Sequence, residues 1–354
     1  MSNPTQAARG RGTGSNPHNR FAPRRSVVED DGWTQEVPPS RATEIRVEQA
    51  RSIITRNQSP DVGFDRSVNP YRGCEHGCIY CFARPSHAYW DLSPGIDFET
   101  RLIAKSNLAD RLEAELSKPG YVPRPIALGI NTDAYQPIER EQRLTRRALE
   151  ILLRYRHPLH LITKSSLILR DLDLLVPLAE QRLVRVAFSL TTLDDELKRV
   201  MEPRAASPAA RLRAMRVLHQ AGVPVDVLCA PMIPAINDME LERMLEAARE
   251  AGAASAGYVL LRLPLEIAEL FEAWLEQHFP QRAAHVMSLI RQCRGGKAND
   301  SRFGQRMRGE GPFADLLAQR FAVAVRRLGF ARRREGDGLD CSLFAPPGQQ
   351  LSLI

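Results

Sequence analysis

The stretch "NPYRGCEHGCIYCFARPSHAYW", residues 69–90, places three cysteines within eight positions of a chain that has six cysteines among 354 residues. Cys74, Cys78 and Cys81 follow a Cys-x3-Cys-x2-Cys spacing. They come directly after "SVNPY" at 67–71, which we interpret as the first strand of a sheet. In parallel α/β proteins the active site lies at the carboxyl ends of the strands. The spacing and the position therefore predict a metal or cofactor site at this edge.

Short apolar or β-branched runs alternate with longer amphipathic stretches after the cysteines. This alternation is typical of repeated βα units that build a parallel sheet. Six parallel strands with crossover helices fit either an open, incomplete barrel or a doubly wound sheet. The predicted strands are "SVNPY" (67–71), "IALGIN" (126–131), "LHLIT" (159–163), "VRVAFSL" (184–190), "VDVLCAP" (225–231) and "GYVLLRL" (257–263).

Two of the intervening stretches are clear helix candidates. The stretch "SPAARLRAMRVLHQAG" offers Ser207 as N-cap, Pro208 at the first helical position and Gly222 just past the end. The stretch "REQRLTRRALEILLRYR" (140–156) carries an apolar stripe that predicts one buried helix face. The stripe consists of Leu144, Leu149, Ile151, Leu152 and Tyr155.

The chain divides into three predicted parts. Residues 1–43 are rich in Gly, Pro, Ser, Asn and Arg without any period, which predicts a disordered basic tail. Residues 44–263 contain the cysteines and the βα units, and form the predicted core. Residues 264–354 begin with "EIAELFEAWLEQHFP" and continue to "GPFADLLAQRFAVAVRRLG", which predicts a helical C-terminal extension that caps the barrel.

The composition favours a water-soluble protein. Hydrophobic residues make up 43% of the chain, enough for a sizeable core. No run approaches the roughly 18 consecutive apolar residues of a membrane helix, and the first residues lack the pattern of a secretory signal. We therefore expect a cytoplasmic protein without a membrane partner. In the reducing cytosol, clustered cysteines are more often metal ligands or redox groups than disulfides.

The net charge leaves two interpretations open. The chain carries a formal charge of +7 and has a pI near 9.3. A basic protein can attract nucleic acid or another polyanion. The positive charge is spread along the chain, however, and a solvated basic surface that keeps the protein soluble explains it equally well.

Several ligands would suit the three crowded thiols. A structural zinc site needs four protein ligands, and His76 or His87 could be the fourth. A conventional iron–sulfur cluster needs four thiolates, but Cys229, Cys293 and Cys341 are distant in sequence. Three thiolates make chemical sense if one iron of a four-iron cluster stays open for an exchangeable ligand, as one position of a catalytic zinc does.

The cysteine spacing, with Tyr80 directly before the third cysteine, resembles the signature of the radical S-adenosylmethionine superfamily. The resemblance implies a [4Fe-4S] cluster on Cys74, Cys78 and Cys81, whose open iron chelates the amino and carboxylate groups of S-adenosyl-L-methionine. An electron from the cluster then cleaves this cofactor to methionine and a 5'-deoxyadenosyl radical. A donor such as flavodoxin or ferredoxin would supply the electron.

Segments downstream resemble, in order and position, the branch that contains spore photoproduct lyase and relatives described as DNA repair photolyase-like. The resemblance covers about residues 65–330 and implies an α/β fold, a partial (β/α)6 TIM-type barrel. The matching segments are "NTDAYQPIE", "ITKS", "FSLTTLDDELKRVMEPRAASPAARL" and "APMIPAIND".

This resemblance also implies three cofactor-binding residues. Lys164 would meet the carboxylate of S-adenosylmethionine, Ser189 would hydrogen-bond the cofactor, and Tyr80 would lie against its adenine. The residue types suit these roles, since an ammonium pairs with a carboxylate and a ring face stacks on a base. The alternatives are a solvated lysine and a serine that bonds only to the backbone.

Three more polar residues are candidates. Asn131 and Asp133 follow the second predicted strand and could point into the barrel mouth as catalytic residues, although both residue types are also common in turns. Arg204 could bind an anionic part of the cofactor or substrate. An equally simple interpretation pairs Arg204 with Glu202 at the surface.

One departure from the branch concerns the substrate. Spore photoproduct lyase carries a cysteine that returns a hydrogen atom to its product radical, and the matching stretch "LGINTDAY" has Ile130 at that position. A thiol can donate a hydrogen atom, whereas an alkane side chain cannot usefully do so. We therefore expect the cofactor chemistry to be shared and the substrate to differ, with nucleic acid among the candidates.

A function of another class remains open. The protein could be a non-catalytic module that binds nucleic acid and uses zinc or an iron–sulfur cluster to stabilise its fold. Basic loops would then hold phosphate groups. The stretch "CRGGKANDSRFGQRMRGEG" (293–311) is a predicted loop on the barrel rim, where its Arg and Lys side chains could meet a substrate's phosphate or carboxylate.

Overall fold

The central sheet has seven strands, six of them parallel. The computed structural model describes residues 10–21, 42–331 and 338–347. In this part of the chain the strands are β1 (Glu44–Glu48), β2 (Thr55–Arg56), β3 (Arg66–Val68), β4 (Tyr71–Arg72), β5 (Arg101–Lys105), β6 (Ile126–Leu128), β7 (Leu159–Thr163), β8 (Val184–Ser189), β9 (Val225–Met232) and β10 (Ser255–Leu260). The central sheet runs in the order β10-β9-β8-β7-β6-β3-β2, with β2 antiparallel at its edge.

Helices connect the successive parallel strands. The α-helices of the described residues are α1 (Asp97–Thr100), α2 (Leu108–Leu116), α3 (Glu139–Gln142), α4 (Leu144–Arg154), α5 (Leu172–Glu180), α6 (Asp195–Met201), α7 (Pro208–Gln220), α8 (Leu241–Glu250), α9 (Ile267–His278), α10 (Ala283–Gln292) and α11 (Pro312–Arg327). Helices α2, α4, α5, α7 and α8 each lie between two neighbouring parallel strands, and α11 follows β10. The predicted α/β class, a partial (β/α)6 barrel of TIM type, is confirmed.

The main core lies between the sheet and these helices. The side chains at every second strand position face the helices and are buried, while those between them are half-buried in β7 and over most of β8. Leu128, Leu161, Val186 and Phe188 are all fully buried. All six predicted strands are present; β7 has the predicted bounds and the other five have shifted ends. The first of them ends at Val68, and β4 begins a separate sheet after the intervening proline, which has no backbone N–H to donate.

The two helix predictions fare differently. The hydroxyl of Ser207 accepts a hydrogen bond from the Ala210 N–H, and Gly222 takes φ of 81° just past the end of α7, as predicted. The stretch 140–156 is not one helix. Arg143 takes φ of 53°, in the left-handed region, and this residue separates α3 from α4.

A loop bridges the two edges of the open sheet. The predicted rim loop, 293–311, contains neither helix nor strand before Pro312. Arg306 forms an ion pair with Asp61, in the connection between β2 and β3, and the Gly304 N–H donates to the same carboxylate at 2.7 Å. At the opposite edge, the Leu260 N–H donates to the Met307 carbonyl at 2.9 Å. The loop therefore connects β10 to the β2–β3 connection at the opposite edge of the sheet.

A small second sheet supports residues 73–81, which contain the three clustered cysteines and which we call the cysteine loop. It has the order β1-β5-β4, with β1 parallel to β5 and β4 antiparallel to it. Strand β4 directly precedes the cysteines, and α1 and β5 follow them. This sheet fixes the chain on both sides of the cysteine loop. The sequence interpretation did not include it.

Residues 10–21 correct the prediction of a disordered tail over residues 1–43. They pack along α1 and the 3-10 helix Arg84–Trp90, and we call them the N-terminal strap. The Asn16 side chain exchanges two hydrogen bonds with Asp97, and the Asn19 side chain donates to the Ala88 carbonyl at 3.0 Å. The rest of the predicted tail, apart from residues 42 and 43, lies outside the described residues.

The C-terminal extension is helical but is not one cap. Helices α9 and α10 share an apolar cluster with the cysteine loop, including Ile79 and Tyr80. Helix α11 lies along α8, where Arg320 pairs with Glu242 at 2.7 Å. Residues 338–347 pass the amino ends of the strands, where the Ala345 N–H donates to the Tyr155 carbonyl. In the described ranges, none of the helices combines the length and apolar character needed to cross a membrane.

Candidate active site

The cysteine loop lies at the carboxyl end of β3 and is held by backbone hydrogen bonds. The Cys74 N–H donates to the Phe98 carbonyl at 2.9 Å, and the Ile79 N–H donates to the Met201 carbonyl at 3.0 Å. The guanidinium of Arg84 donates to the Cys78 carbonyl at 2.9 Å. Main-chain and buried side-chain groups therefore fix the loop between α1 and the end of α6.

The three thiols are free, and burial makes those of Cys74 and Cys78 hard to ionise. Cys74 and Cys78 are buried and Cys81 is half-buried. Burial raises the pKa of Cys74 well above its usual range, and repulsion from Asp133 and from the other two thiols adds to this. Burial likewise raises the pKa of Cys78 to about 12. Buried thiols such as these two are costly as thiolates unless a positively charged group binds them.

The donor set fits a cluster better than a single ion. Within residues 10–21, 42–331 and 338–347, no three His, Cys, Asp or Glu side chains converge where one metal ion could bind. A zinc ion needs all its donors at about 2.0–2.3 Å from one point, whereas each thiolate of a four-iron cluster binds a different iron. Neither histidine completes a zinc site: His76 faces Asp133 at 3.4 Å, and Nε2 of His87 faces the Arg101 carbonyl at 3.0 Å.

Asp133 holds the ends of two strands together. One carboxylate oxygen accepts from the Tyr135 N–H at 2.8 Å and the Thr163 hydroxyl at 2.7 Å, and the other accepts from the Lys164 N–H at 2.7 Å. Burial opposes ionisation, but His76 and these donors lower the pKa of Asp133 to about 2. The structure thus gives this predicted catalytic residue a positioning role.

Asn131 lies at the same edge and differs in its surroundings. It is exposed, and its backbone N–H donates to the side chain of Asn69 at 2.9 Å. The turn after β6 therefore presents Asn131 to solvent and keeps Asp133 inside. The catalytic roles of both residues stay predictions.

A buried carboxylate, Glu202, organises the space beside the cysteine loop. It is fully buried and accepts hydrogen bonds from the hydroxyls of Tyr80 and Thr191 and from the guanidinium of Arg211. Burial would raise the pKa of Glu202, but Arg211 and then Lys164 lower it to about 2. The surface pair of Glu202 with Arg204 is wrong, because Glu202 faces inward.

The sequence interpretation missed Arg211. This residue is 1% exposed and donates to the Ser189 carbonyl at 2.9 Å as well as to Glu202. It lies on α7, nine residues after Glu202, and the matching segment "FSLTTLDDELKRVMEPRAASPAARL" contains both residues without showing that they pair. A second signal was the position of Arg211 on the apolar face of the predicted helix.

The three residues assigned to the cofactor by resemblance lie around this carboxylate. The ammonium of Lys164 lies 5.9 Å from the centre of the Tyr80 ring. Burial would lower the pKa of Lys164, but Cys78 and Glu202 outweigh it and raise that pKa. Ser189, at the end of β8, donates its hydroxyl to the Ala230 carbonyl at 3.0 Å. Tyr80, Lys164 and Ser189 are therefore brought together, and their cofactor roles stay predictions.

Arg204 lies apart from this group. Its guanidinium is 3.3 Å from the carboxylate of Glu75, and about a third of its side chain is exposed. Its backbone N–H donates to the His76 carbonyl at 3.2 Å. Arg204 thus braces the outer part of the cysteine loop, and the predicted contact with an anionic group is not tested.

Comparison with known proteins agrees with this geometry. A sequence model of the Radical SAM superfamily matches residues 68–248, just over half of the chain. The chain belongs to the radical SAM superfamily. It is therefore a radical SAM enzyme, and the predicted family is confirmed. Membership of this superfamily implies S-adenosylmethionine and a [4Fe-4S] cluster as cofactors.

Solved structures and sequence relatives show how similar this radical SAM enzyme is to individual known proteins. It superimposes on spore photoproduct lyase complexed with dinucleoside spore photoproduct with a TM-score of 0.58 at 16% identity, over 80% of this chain and 79% of that one, which shows a shared fold. It is 37% identical over 230 residues to an uncharacterized protein of Mycobacterium tuberculosis, covering 64% of this chain and 68% of the relative. A protein of Methanocaldococcus jannaschii is 28% identical over 214 residues, covering 60% and 76%.

The remaining cysteines lie outside the site. Cys229 and Cys293 belong to the core cluster between sheet and helices, and burial raises the pKa of Cys229 to about 12. Cys341 is half-buried in the segment that follows the gap after residue 331. The prediction that Cys229 is a small core residue is confirmed.

Proposed function

We propose that this radical SAM enzyme holds a [4Fe-4S] cluster on Cys74, Cys78 and Cys81 and binds S-adenosylmethionine at the iron that these thiols leave open. One observation supports this most: three free, mutually interacting thiols lie at the carboxyl edge of a partial barrel and offer no site for a single metal ion. When bound, the reduced cluster supplies the electron that converts S-adenosylmethionine to methionine and a 5'-deoxyadenosyl radical, which takes a hydrogen atom from the substrate.

The chain's own residues bind and orient the cofactor in this proposal. Lys164 has a raised pKa and so carries a proton for pairing with the methionyl carboxylate. Tyr80 offers a ring face for the adenine, and Glu202 fixes that ring by accepting a hydrogen bond from its hydroxyl. Ser189 keeps its hydroxyl oxygen available to accept a hydrogen bond while it donates to Ala230.

The substrate in this proposal differs from the spore photoproduct. Ile130 occupies the position at which the lyase branch carries its hydrogen-donating cysteine, and the thiols of Cys229 and Cys293 are buried in the core outside the barrel. No thiol among the described residues other than the three cluster ligands and half-buried Cys341 is left for that role. The product radical would be quenched by a different donor.

We propose nucleic acid as the substrate class, because each exposed aromatic ring lies next to an arginine guanidinium. Among the described residues, each aromatic side chain counted as exposed has an arginine guanidinium within 5.3 Å of its ring centre. These rings are Phe21, Phe82, Tyr89, Trp90 and Phe303. Aromatic faces that stack on bases, with arginines beside them, are typical of proteins that bind single-stranded nucleic acid. Three of these arginines already pair with carboxylates, so the proposal rests mainly on the rings: Arg20 pairs with Glu266, Arg72 with Glu48 and Arg306 with Asp61.

Several of these pairs adjoin the cysteine loop. Phe82 directly follows Cys81, and the guanidinium of Arg262 lies 4.8 Å from its ring centre. The charge of Arg262 interacts with Cys81 itself, so the pair lies beside the proposed cluster. The rings of Tyr89 and Trp90 follow on the same segment. A strand held on these rings would pass close to the barrel mouth.

Anaerobic reconstitution tests the cofactor chemistry. Wild-type protein supplied with iron, sulfide, a strong reductant and S-adenosylmethionine should form 5'-deoxyadenosine, and C78A should not. The matched control is C341S, which changes a half-buried cysteine outside the site and should keep the activity. Wild-type protein that binds stoichiometric zinc without iron, or that holds a cluster but forms no 5'-deoxyadenosine, would contradict the proposal.

Binding measurements test the substrate class. Fluorescence anisotropy with single-stranded DNA and RNA oligonucleotides should show binding that weakens steeply as salt increases. F82A should weaken binding about 5- to 150-fold, since one base–aromatic stack contributes about 1–3 kcal/mol. The control L316A removes an exposed apolar side chain on α11 and should bind as wild type. Equal affinities of F82A and L316A, or no binding at low salt, would exclude this substrate class.

A further inference from the structure

The N-terminal strap, residues 10–21, lies on the outer side of the cysteine loop. Gly12, Thr13 and Asn19 are buried although the segment is composed of small and polar residues. The Arg11 guanidinium donates to the Glu99 carbonyl at 2.9 Å, and the Ile96 N–H donates to the Ser15 carbonyl at 3.1 Å. The strap is therefore held by polar bonds to the same helix, α1, that accepts from the Cys74 N–H.

The closest approach is between two glycines. A Cβ atom on Gly12 would lie 1.7 Å from the carbonyl oxygen of Gly77, which stands directly before Cys78. A Cβ on Gly77 would lie 2.7 Å from the Glu99 carboxylate and 3.2 Å from the Gly12 nitrogen. Backbone therefore meets backbone at this point, and no larger residue fits at Gly12 unless the cysteine loop moves.

A buried ion pair connects the strap to the cysteines. Glu99 is fully buried and accepts from the Gly12 N–H at 2.9 Å and from the Arg84 guanidinium at 2.6 Å. The same guanidinium donates to the carbonyls of Gly77, at 3.2 Å, and Cys78, at 2.9 Å. Strap, carboxylate, guanidinium and cysteine loop thus form one hydrogen-bonded unit.

We propose that the N-terminal strap is a positioning element of the cluster site: it holds the cysteine loop in the conformation that receives the cluster and covers its outer side. This inference rests on the proposed function, because it assumes that the three cysteines bind a cluster. It assigns a role to a segment whose composition alone suggests a dispensable tail. Outer contacts that orient metal ligands commonly change metal affinity or activity by about 10–100-fold.

Two glycine-to-alanine variants of the full-length protein provide the test. G12A places a methyl group against the Gly77 carbonyl, whereas G63A, the matched control, meets nothing within 4 Å. N19A is a second variant that loosens the other end of the strap without adding atoms. Iron and sulfide per chain, the electron paramagnetic resonance spectrum of the reduced cluster with and without S-adenosylmethionine, and the lifetime of the cluster's visible absorbance in air are measured after identical reconstitution.

We expect G12A to retain a folded apoprotein by circular dichroism, to take up less iron and sulfide, to show an altered spectrum and to lose its cluster in air about tenfold faster than G63A. N19A should change in the same direction by a smaller factor. Should G12A fail to fold, N19A decides alone. The proposal is overturned if G12A and N19A lower only the melting temperature of the apoprotein while cluster content, spectrum and lifetime match G63A. Wild-type protein without any cluster would instead overturn the proposed function.

Discussion

Replacing Arg211 with methionine should lower the free energy of unfolding by about 3–5 kcal/mol, because it leaves a buried carboxylate without its cationic partner. Arg211 is 1% exposed and Glu202 is fully buried. The guanidinium donates to the carbonyls of Ala206, at 3.0 Å, and Ser189, at 2.9 Å, as well as to Glu202. R211M removes all three bonds, and the methionine side chain fills part of the space.

The pKa of Glu202 reflects its burial and all of its partners together, and among those partners Arg211 lowers it most. Burial opposes ionisation, yet Arg211, followed by Lys164, lowers this pKa from 4.5 to about 2. A decrease of that size corresponds to about 3 kcal/mol. Because the folded pKa lies below the unfolded one, this stability is present above about pH 4.5 and is lost as the pH falls towards 2. Both arguments therefore reach the same range at neutral pH.

Urea denaturation of the reduced, metal-free protein at neutral pH, followed by circular dichroism, measures the loss. The control R216M changes an exposed arginine on the same helix, α7, and should stay within about 0.5 kcal/mol of wild type. The double variant E202Q/R211M should lose clearly less than the two single losses added, since the removed groups are partners. A loss below about 1 kcal/mol in R211M, or full additivity in the double variant, would refute this account of the buried pair.

Three further predictions follow from the structure. The buried His157 hydrogen-bonds the Pro158 carbonyl and the Tyr121 hydroxyl, and burial lowers its pKa to about 4. Because His157 is protonated near pH 6.5 in the unfolded chain, the free energy of unfolding should fall by about 3 kcal/mol as the pH drops from 6.5 to 4. The difference in this free energy between wild type and H157Q, measured by urea denaturation, should narrow by the same amount. A difference that does not change with pH would contradict the prediction. R306Q removes the ion pair with Asp61, so amide hydrogen exchange should become faster in residues 57–65. The control R302Q should leave this exchange unchanged, because the partners of Arg302 lie in its own loop. Equal exchange rates in the two variants would show that Arg306 does not hold the β2–β3 connection. S207A removes the N-cap of α7 and should cost about 1 kcal/mol in urea denaturation, and an unchanged midpoint would show that the cap is not formed in solution.

The strands were predictable from the sequence because their signal is local. "VRVAFS" and "LHLIT" place a buried residue at every second position, with Arg185 and His160 at half-buried positions between them, which is the two-residue period of a strand. The cysteine loop was predictable for a similar reason, since its spacing lies within a dozen residues. Strands β2 and β4, of two residues each, carry no such signal, and their pairing depends on contacts that only the folded chain provides.

The candidate site shows a second limit of prediction from the sequence. Glu202 was singled out in the sequence and paired with Arg204, its neighbour along the chain, but the folded structure pairs it with Arg211. The choice between the two arginines depends on which one the α6–α7 turn directs inward. Local sequence spacing contains no information about that direction, because Glu202 and Arg211 lie on different elements.

The strap shows why composition misjudged one end of the chain. Predictions of disorder rest on how much apolar surface a segment can bury, and "GRGTGSNPHNRF" has almost none. Its order has another source, because Gly12 and Gly77 let two backbones meet, and the resulting contact is satisfied by the buried Glu99 and Arg84. Buried backbone N–H and C=O groups need hydrogen-bond partners. A segment with little apolar side-chain surface can therefore be held in place where a glycine lets its backbone reach a buried polar site. Glycines that precede an asparagine-rich stretch therefore deserve a structural test before such a tail is removed from an expressed protein.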